Sequence, residues 1–127
     1  MIKDFRDLEV WKKGMEIVKS VYTLTSKFPA HELYGLTSQL RRAAVSVPSN
    51  IAEGFNRKHN KEYRQFLYLA LGSCAALETQ LEIAHDLQYL DQGVRDTHLE
   101  MVQHESKMLT KLIARIATSN QQLATSN

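Results

Sequence analysis

Apolar residues recur along this chain at alternating intervals of three and four, the period of a helix with one face in a core. Over residues 7–27, Leu8, Trp11, Met15, Val18, Tyr22 and Thr25 form one such row, and Val10, Ile17, Val21, Leu24 and Phe28 form a second beside it. Two rows make a wider apolar face than one core seam needs. The surplus either broadens the core or meets another subunit. Asp4 or Asp7 supplies an acceptor for the exposed N–H groups at the start. Phe28-Pro29 stops the helix, because the residue before a proline is pushed out of the α region.

A second helix is expected over 34–56, with Leu36, Leu40, Ala43, Val47, Ile51 and Phe55 turned inward. Its opposite face, Ser38, Arg42, Val45, Ser49, Ala52 and Asn56, is mostly small and would let another backbone come close. A third helix, capped by Asn60, follows the heptad row Tyr63, Leu67, Ala70, Cys74, Leu77, Leu81 and Ala84. Its expected span of 61–90 is about 45 Å long, a length that suits a rod-like bundle. Asp91 caps a fourth helix over 92–117, whose row is Met101 or Val102, Met108 or Leu109, Leu112 and Ile116. ATSN recurs at 117–120 and 124–127 with few apolar groups nearby, so a frayed tail is expected over 119–127. Short connections between long amphipathic helices predict an all-α, antiparallel up-down-up-down four-helix bundle, one domain over residues 1–118.

Pro48 interrupts the second helix pattern. Its ring clashes with the carbonyl four residues back and removes one hydrogen bond, at a cost of about 3 kcal/mol in a helix interior. Asn50-Ile51-Ala52-Glu53 has the spacing of a capping box, with Asn50 as cap and Glu53 as the reciprocal acceptor. The expectation is one helix kinked at Pro48, with Ser46, Ser49 and Asn50 satisfying the freed backbone groups.

Composition changes this picture little. The 127 residues are 43% hydrophobic and 24% charged, with 5 Gly and 2 Pro, as in an ordinary globular domain. A single cysteine, Cys74, excludes an internal disulfide and a multi-cysteine zinc site, in keeping with a reducing cytoplasm. The N-terminal stretch has no apolar signal core and no segment is apolar enough to span a membrane, so a cytoplasmic protein with no membrane role is expected.

Charge is informative because it is uneven. Residues 41–64 hold six Lys/Arg against Glu53 and Glu62, whereas the rest of the chain holds ten basic and twelve acidic groups. Arg57, Lys58, Lys61 and Arg64 fall at the junction of the second and third helices, where clustered cations attract phosphates without reading sequence. His59 and Tyr63 sit among them and can stack on an unpaired base. Arg41 and Arg42 either join that surface or are tied up in a subunit interface. Against this stands an ordinary solvated loop, with Glu53–Arg57 as an i, i+4 pair.

Catalytic signals are weak. A di-metal bundle site needs two Glu-x-x-His motifs, and Glu82-x-x-His85 has no counterpart. Cys74 lies on the apolar row with no Lys, Arg or His within one turn, as a buried small hydrophobe would. No phosphate-binding glycine loop or nucleophile elbow is present. No catalytic residue, metal or cofactor is expected.

The stretches FRDLEVWKKG (Phe5–Gly14) and YGLTSQLRRAAVSVPSNIAEGFNR (Tyr34–Arg57), with Pro48, Ser49, Asn50 and Glu53 in the SVPSNIAEG core, carry a family resemblance. The chain resembles the four-helix-bundle proteins encoded in intervening sequences of bacterial 23S rRNA genes, over residues 5–117. It also looks related to the accessory subunit of diversity-generating retroelements. The resemblance implies an elongated antiparallel bundle, a closed homo-oligomer such as a pentamer, and no established enzymatic activity. Together with the charge asymmetry it leads to an expected non-catalytic oligomer that binds structured RNA through a basic rim. The alternative is an oligomeric protein–protein scaffold with no nucleic-acid role.

Overall fold

The computed structural model describes the backbone of residues 1–126 and the side chains of residues 1–118. Its helices are α1 (Glu9–Thr25), α2 (Leu36–Phe55), α3 (Asn60–Asp86) and α4 (Gln92–Ser126), with single 3-10 turns at Phe5–Asp7 and Ala30–Glu32. No strand occurs among the described residues. Each helix packs on its chain neighbours, and α4 returns to α1. Contacts along each pair run in opposite chain order. Gly14 meets Pro48 while Tyr22 lies beside Arg41; Ser46 bonds Ser73 while Gly54 meets Phe66. Glu78 pairs with Gln103 while His85 meets Arg95, and Gly14 meets Glu105 while Ser20 bonds His98. The chain is a four-helix bundle whose neighbouring helices point in opposite senses.

Ile17, Val21, Leu40, Val47, Ile51, Leu67, Leu77, Leu81, Val102 and Leu109 fill the centre, each almost wholly out of water. Burying one such side chain stabilises the fold by roughly 1.5–3 kcal/mol. Of the two apolar rows on α1, the second supplies the core: Val10, Ile17, Val21 and, just beyond the helix, Phe28 are buried. Trp11, Met15 and Val18 of the first row are only half-buried, and Tyr22 is 44% exposed. On α2 the inward row turns slightly from the expected one. Ala44 rather than Ala43 is buried, and at the end of α2 Gly54 is buried against α3 while Phe55 beside it is half-buried. A Cβ on Gly54 would lie 2.6 Å from the Phe66 Cβ and 3.1 Å from the Tyr63 carbonyl oxygen. Hydrogen in place of a side chain sets how closely α2 and α3 approach.

Pro48 lies inside α2, which continues through it as one element. The ring is buried against Gly14 of α1, where a Cβ would come within 3.3 Å of it. Glycine there leaves room for the proline. The expected capping box is corrected. Asn50 is interior to α2, whose N-cap position is Gly35, so no helix start exists at Asn50 for a box to serve. Instead the Asn50 Nδ2 donates to the Ser46 carbonyl (2.8 Å) and hydroxyl (3.0 Å), and that hydroxyl shares a 2.6 Å hydrogen bond with Ser73 of α3. Glu53 pairs with Arg57 at 3.3 Å. Ser49 is exposed on the outer side of α2.

The helix ends differ from their expected positions for local reasons. Asp4 caps the first 3-10 turn, accepting from the Arg6 N–H at 2.8 Å, while the cap position of α1 falls on Leu8 rather than Asp7. The cap position of α3 is His59 rather than Asn60, a shift of the size that helix ends commonly show. α3 ends at Asp86, short of residue 90, in a Schellman arrangement. Tyr89 N–H bonds the Ala84 carbonyl, Gln88 N–H bonds the His85 carbonyl, and Gln88 takes a left-handed φ of 66°.

Asp91 caps α4 as expected, its Oδ1 accepting from the Val94 N–H at 2.8 Å. Asp91→Ala is expected to cost about 1 kcal/mol, read as a lower urea midpoint at unchanged m-value. An unchanged midpoint would show that the cap contributes nothing. The α4 backbone runs to Ser126, past the expected stop near 117. The tail expectation over 119–127 falls on residues whose side chains lie outside the described part.

Candidate nucleic-acid interface

At the end of α2 the chain turns through residues 56–59 into α3. The turn is held by Asn56 N–H to the Ala52 carbonyl and Arg57 N–H to the Gly54 carbonyl. The Arg57 guanidinium bonds Glu53 and lies 4.7 Å from the Phe66 ring centroid, so it is a steered cation rather than a loose one. Lys58, His59 and Lys61 are exposed. Arg64 is half-buried, and its Nε is out of water with no hydrogen-bond partner among the described residues.

Tyr63 departs from its expected role. Its ring meets Phe55 edge-on, with centroids 6.0 Å apart. Burial pushes its phenol pKa up, while nearby Arg115 acts the other way. It serves the α2–α3 contact and is not an open platform for a base. His59 keeps the exposure that stacking needs.

Arg41 and Arg42 do not join this cluster. Sixteen helical residues separate Arg41 from Arg57, roughly 24 Å along the axis. The Arg41 Nε donates to the Thr25 hydroxyl at 2.9 Å, and its guanidinium lies 4.7 Å from the Tyr22 centroid. It ties α2 to the far end of α1. Arg42 is exposed on the outer side of α2.

The fold supplies two cations that sequence reasoning missed. Arg115 of α4 acts electrostatically on Tyr63. Lys111 and Arg115 line a shallow groove with Met108 and Leu112 against the N-terminal segment at Leu8 and Val10. The signal lay in the antiparallel register: counting outward from the Glu78–Gln103 contact puts residue 115 opposite residue 66. Six Lys/Arg from the α2–α3 junction and α4 thus lie towards one end of the bundle, where Asp7 and Glu9 line the same groove as Lys111 and Arg115.

Elsewhere the chemistry is structural. Burial pushes the Cys74 thiol up to about 12; a Ser106 hydrogen bond lowers it, and the Glu105 and Glu78 charges add to the rise. A thiol so protonated is no nucleophile. Glu82 pairs with Arg95 at 3.5 Å, and among the described residues no three His, Cys, Asp or Glu side chains gather as metal ligands. His98 Nδ1 lies 2.8 Å from the Val94 carbonyl, which can only accept, so Nδ1 carries the proton and Nε2 accepts from Ser20 at 2.7 Å. That bond joins α1 to α4. Among the described residues no helix is long and apolar enough to cross a membrane.

Residues 6–111 match the family model described as 23S rRNA-intervening sequence protein. The chain belongs to that family. A similar fold is found in a solved structure, described as a protein with unknown function from the S23 ribosomal protein family, from Bacteroides thetaiotaomicron. It is 19% identical to this chain, with a TM-score of 0.74 over 82% of this chain and 97% of its own. At that identity the likeness concerns the fold alone. No curated protein matches this chain.

Proposed function

We propose that this member of the 23S rRNA-intervening sequence family is a non-catalytic cytoplasmic protein that assembles into a closed homo-oligomer, most simply a pentamer, and holds structured RNA through phosphate contacts. The observation that carries the reading is that Arg57, Lys58, Lys61 and Arg64 lie with Lys111 and Arg115 towards one end of the bundle. The family description adds a connection to 23S rRNA. One such end is a modest field. Several copies on one rim raise both the field and the avidity without new contacts.

A second reading, a protein–protein scaffold, is favoured by the half-buried Trp11, Met15 and Val18 beside exposed Val45. Salt separates the two. Binding of a labelled, structured 23S rRNA fragment is expected to weaken steeply as salt rises. Changing Arg57, Lys58, Lys61 and Arg64 together to Ala should reduce the log–log slope by roughly three where all four meet phosphate. Absence of binding at low salt would sink the RNA reading and leave the scaffold.

A further inference from the structure

We infer that the groove between the N-terminal segment and α4 holds an unpaired guanine of the bound RNA. Asp7 reads the base, and Lys111 and Arg115 hold its phosphate. The inference rests on the RNA reading above and names what that surface selects.

The N-terminal segment lies along α4, where the Gly14–Glu105 contact and antiparallel register put residue 7 beside residue 112. Leu8, Met108 and Leu112, all half-buried, form the apolar floor of the groove between them. Its volume is about 420 Å³, within the range of about 300–1,000 Å³ that small-molecule sites occupy. The two walls carry opposite charge: Asp7 and Glu9 on the N-terminal side, Lys111 and Arg115 on α4. Glu9 is paired with Lys12. Asp7, Lys111 and Arg115 form no ion pair among the described residues. Opposite charges that share a groove and stay apart leave room for a molecule that bridges them. Lys111 and Arg115 are also four residues apart on one helix face, a like-charge spacing that costs stability until an anion sits there.

A bridging molecule needs hydrogen-bond donors at one end, an anion at the other and a flat apolar body between. An unpaired nucleotide has all three. Among the four bases, guanine fits the carboxylate. Its Watson–Crick edge presents N1–H and the N2 amino group side by side, two parallel donors for the two oxygens of Asp7. Adenine, cytosine and uracil each place an acceptor next to the donor on that edge, and a carboxylate repels it. Two charge-assisted bonds to one carboxylate fix orientation as well as strength. Phosphate contacts alone position an RNA without reading it. A base seated against Asp7 adds selection, and it gives a carboxylate a use on a surface otherwise suited to phosphate.

The test is fluorescence anisotropy with labelled RNA hairpins that share one stem and a uridine loop. One loop carries a single central guanine, a second carries inosine there, which lacks only the N2 amino group, and a third carries uridine throughout. Wild type and Asp7→Ala are compared, with the 23S rRNA fragment and guanosine monophosphate alongside. Asp7 is exposed, so the variant is expected to keep the wild-type circular dichroism. The wild type is expected to hold the guanine loop roughly tenfold tighter than the uridine loop, the discrimination that one bidentate base contact supplies. Inosine should fall between them, and Asp7→Ala should bind all three alike. If Asp7 only repels phosphate, Asp7→Ala binds every loop tighter by one factor and keeps any preference unchanged. That result overturns the inference and leaves the RNA reading standing, as does a wild type that binds the fragment without preferring the guanine loop. Guanosine monophosphate that binds while the guanine loop gains nothing overturns RNA as the source of the base. A wild type that binds neither the fragment nor any hairpin at low salt overturns both.

Discussion

Between pH 5 and pH 9 the unfolding free energy of the wild type is expected to fall by roughly 4 kcal/mol more than that of Glu105→Gln. Glu105 lies in the core of the bundle with no exposed surface, and neither carboxyl oxygen meets a hydrogen-bond partner among the described residues. Gly14 of α1 is packed against it. Burial pushes its pKa up to about 8; Lys13 lowers it, and Glu16 raises it further. In the unfolded chain the same group titrates near the ordinary glutamate value of 4.5. Between those two values the native state holds a proton that the unfolded state has released, so stability falls as pH rises. The contribution is fully present below the unfolded pKa and is lost as pH passes through the folded one. The amide keeps the shape and cannot ionise. Urea titrations of both proteins across that range measure the difference. Parallel curves would show that the carboxyl is ionised, or solvated, throughout.

Gly54→Ala is expected to destabilise the fold by about 1–3 kcal/mol, even though alanine is the better helix former by about 1 kcal/mol. The added methyl would meet the Phe66 Cβ at 2.6 Å and the Tyr63 carbonyl oxygen at 3.1 Å. Neither is the far end of a flexible side chain, so α2 and α3 must part. Because Arg57 stacks on Phe66, the parting also moves the basic turn, and RNA affinity should drop with stability. A variant as stable as wild type would mean that the two helices have room to spare. The same substitution at Gly14 is expected to cost less, since its nearest neighbours lie at 3.2 and 3.3 Å.

Much of the fold is legible in the sequence because amphipathic periodicity reports burial directly. The α3 row from Leu67 to Ala84 is the buried row, and Asp91 caps α4 as its position suggests. What escaped reading are choices made by packing. The Asn50–Glu53 spacing mimics a helix start, but Pro48 finds its space at Gly14, so α2 has no second start. The end of α3 is a left-handed Gln88, where a glycine would have announced it. Glu105 stands on the inward row between Val102 and Leu109, a position where a charge reads as an error in the period until its burial is seen. For the candidate site the sequence shows the cations that are adjacent in the chain. It does not show that Tyr63 is spent on packing, that Arg41 and Arg42 belong to the far end, or that α4 brings Lys111 and Arg115 alongside.

Those two residues offer the most direct test of the claim that one end of the bundle, built from separate elements, is an RNA-binding surface. The measurement is the affinity of the Lys111→Ala/Arg115→Ala protein for the rRNA fragment across a salt series, beside Lys19→Ala/Arg42→Ala at the far end. Weaker binding and a slope lower by roughly one and a half are expected for the α4 pair, with the far-end pair close to wild type when compared at equal assembly state. Equal losses from both pairs, or none from the α4 pair, would contradict it.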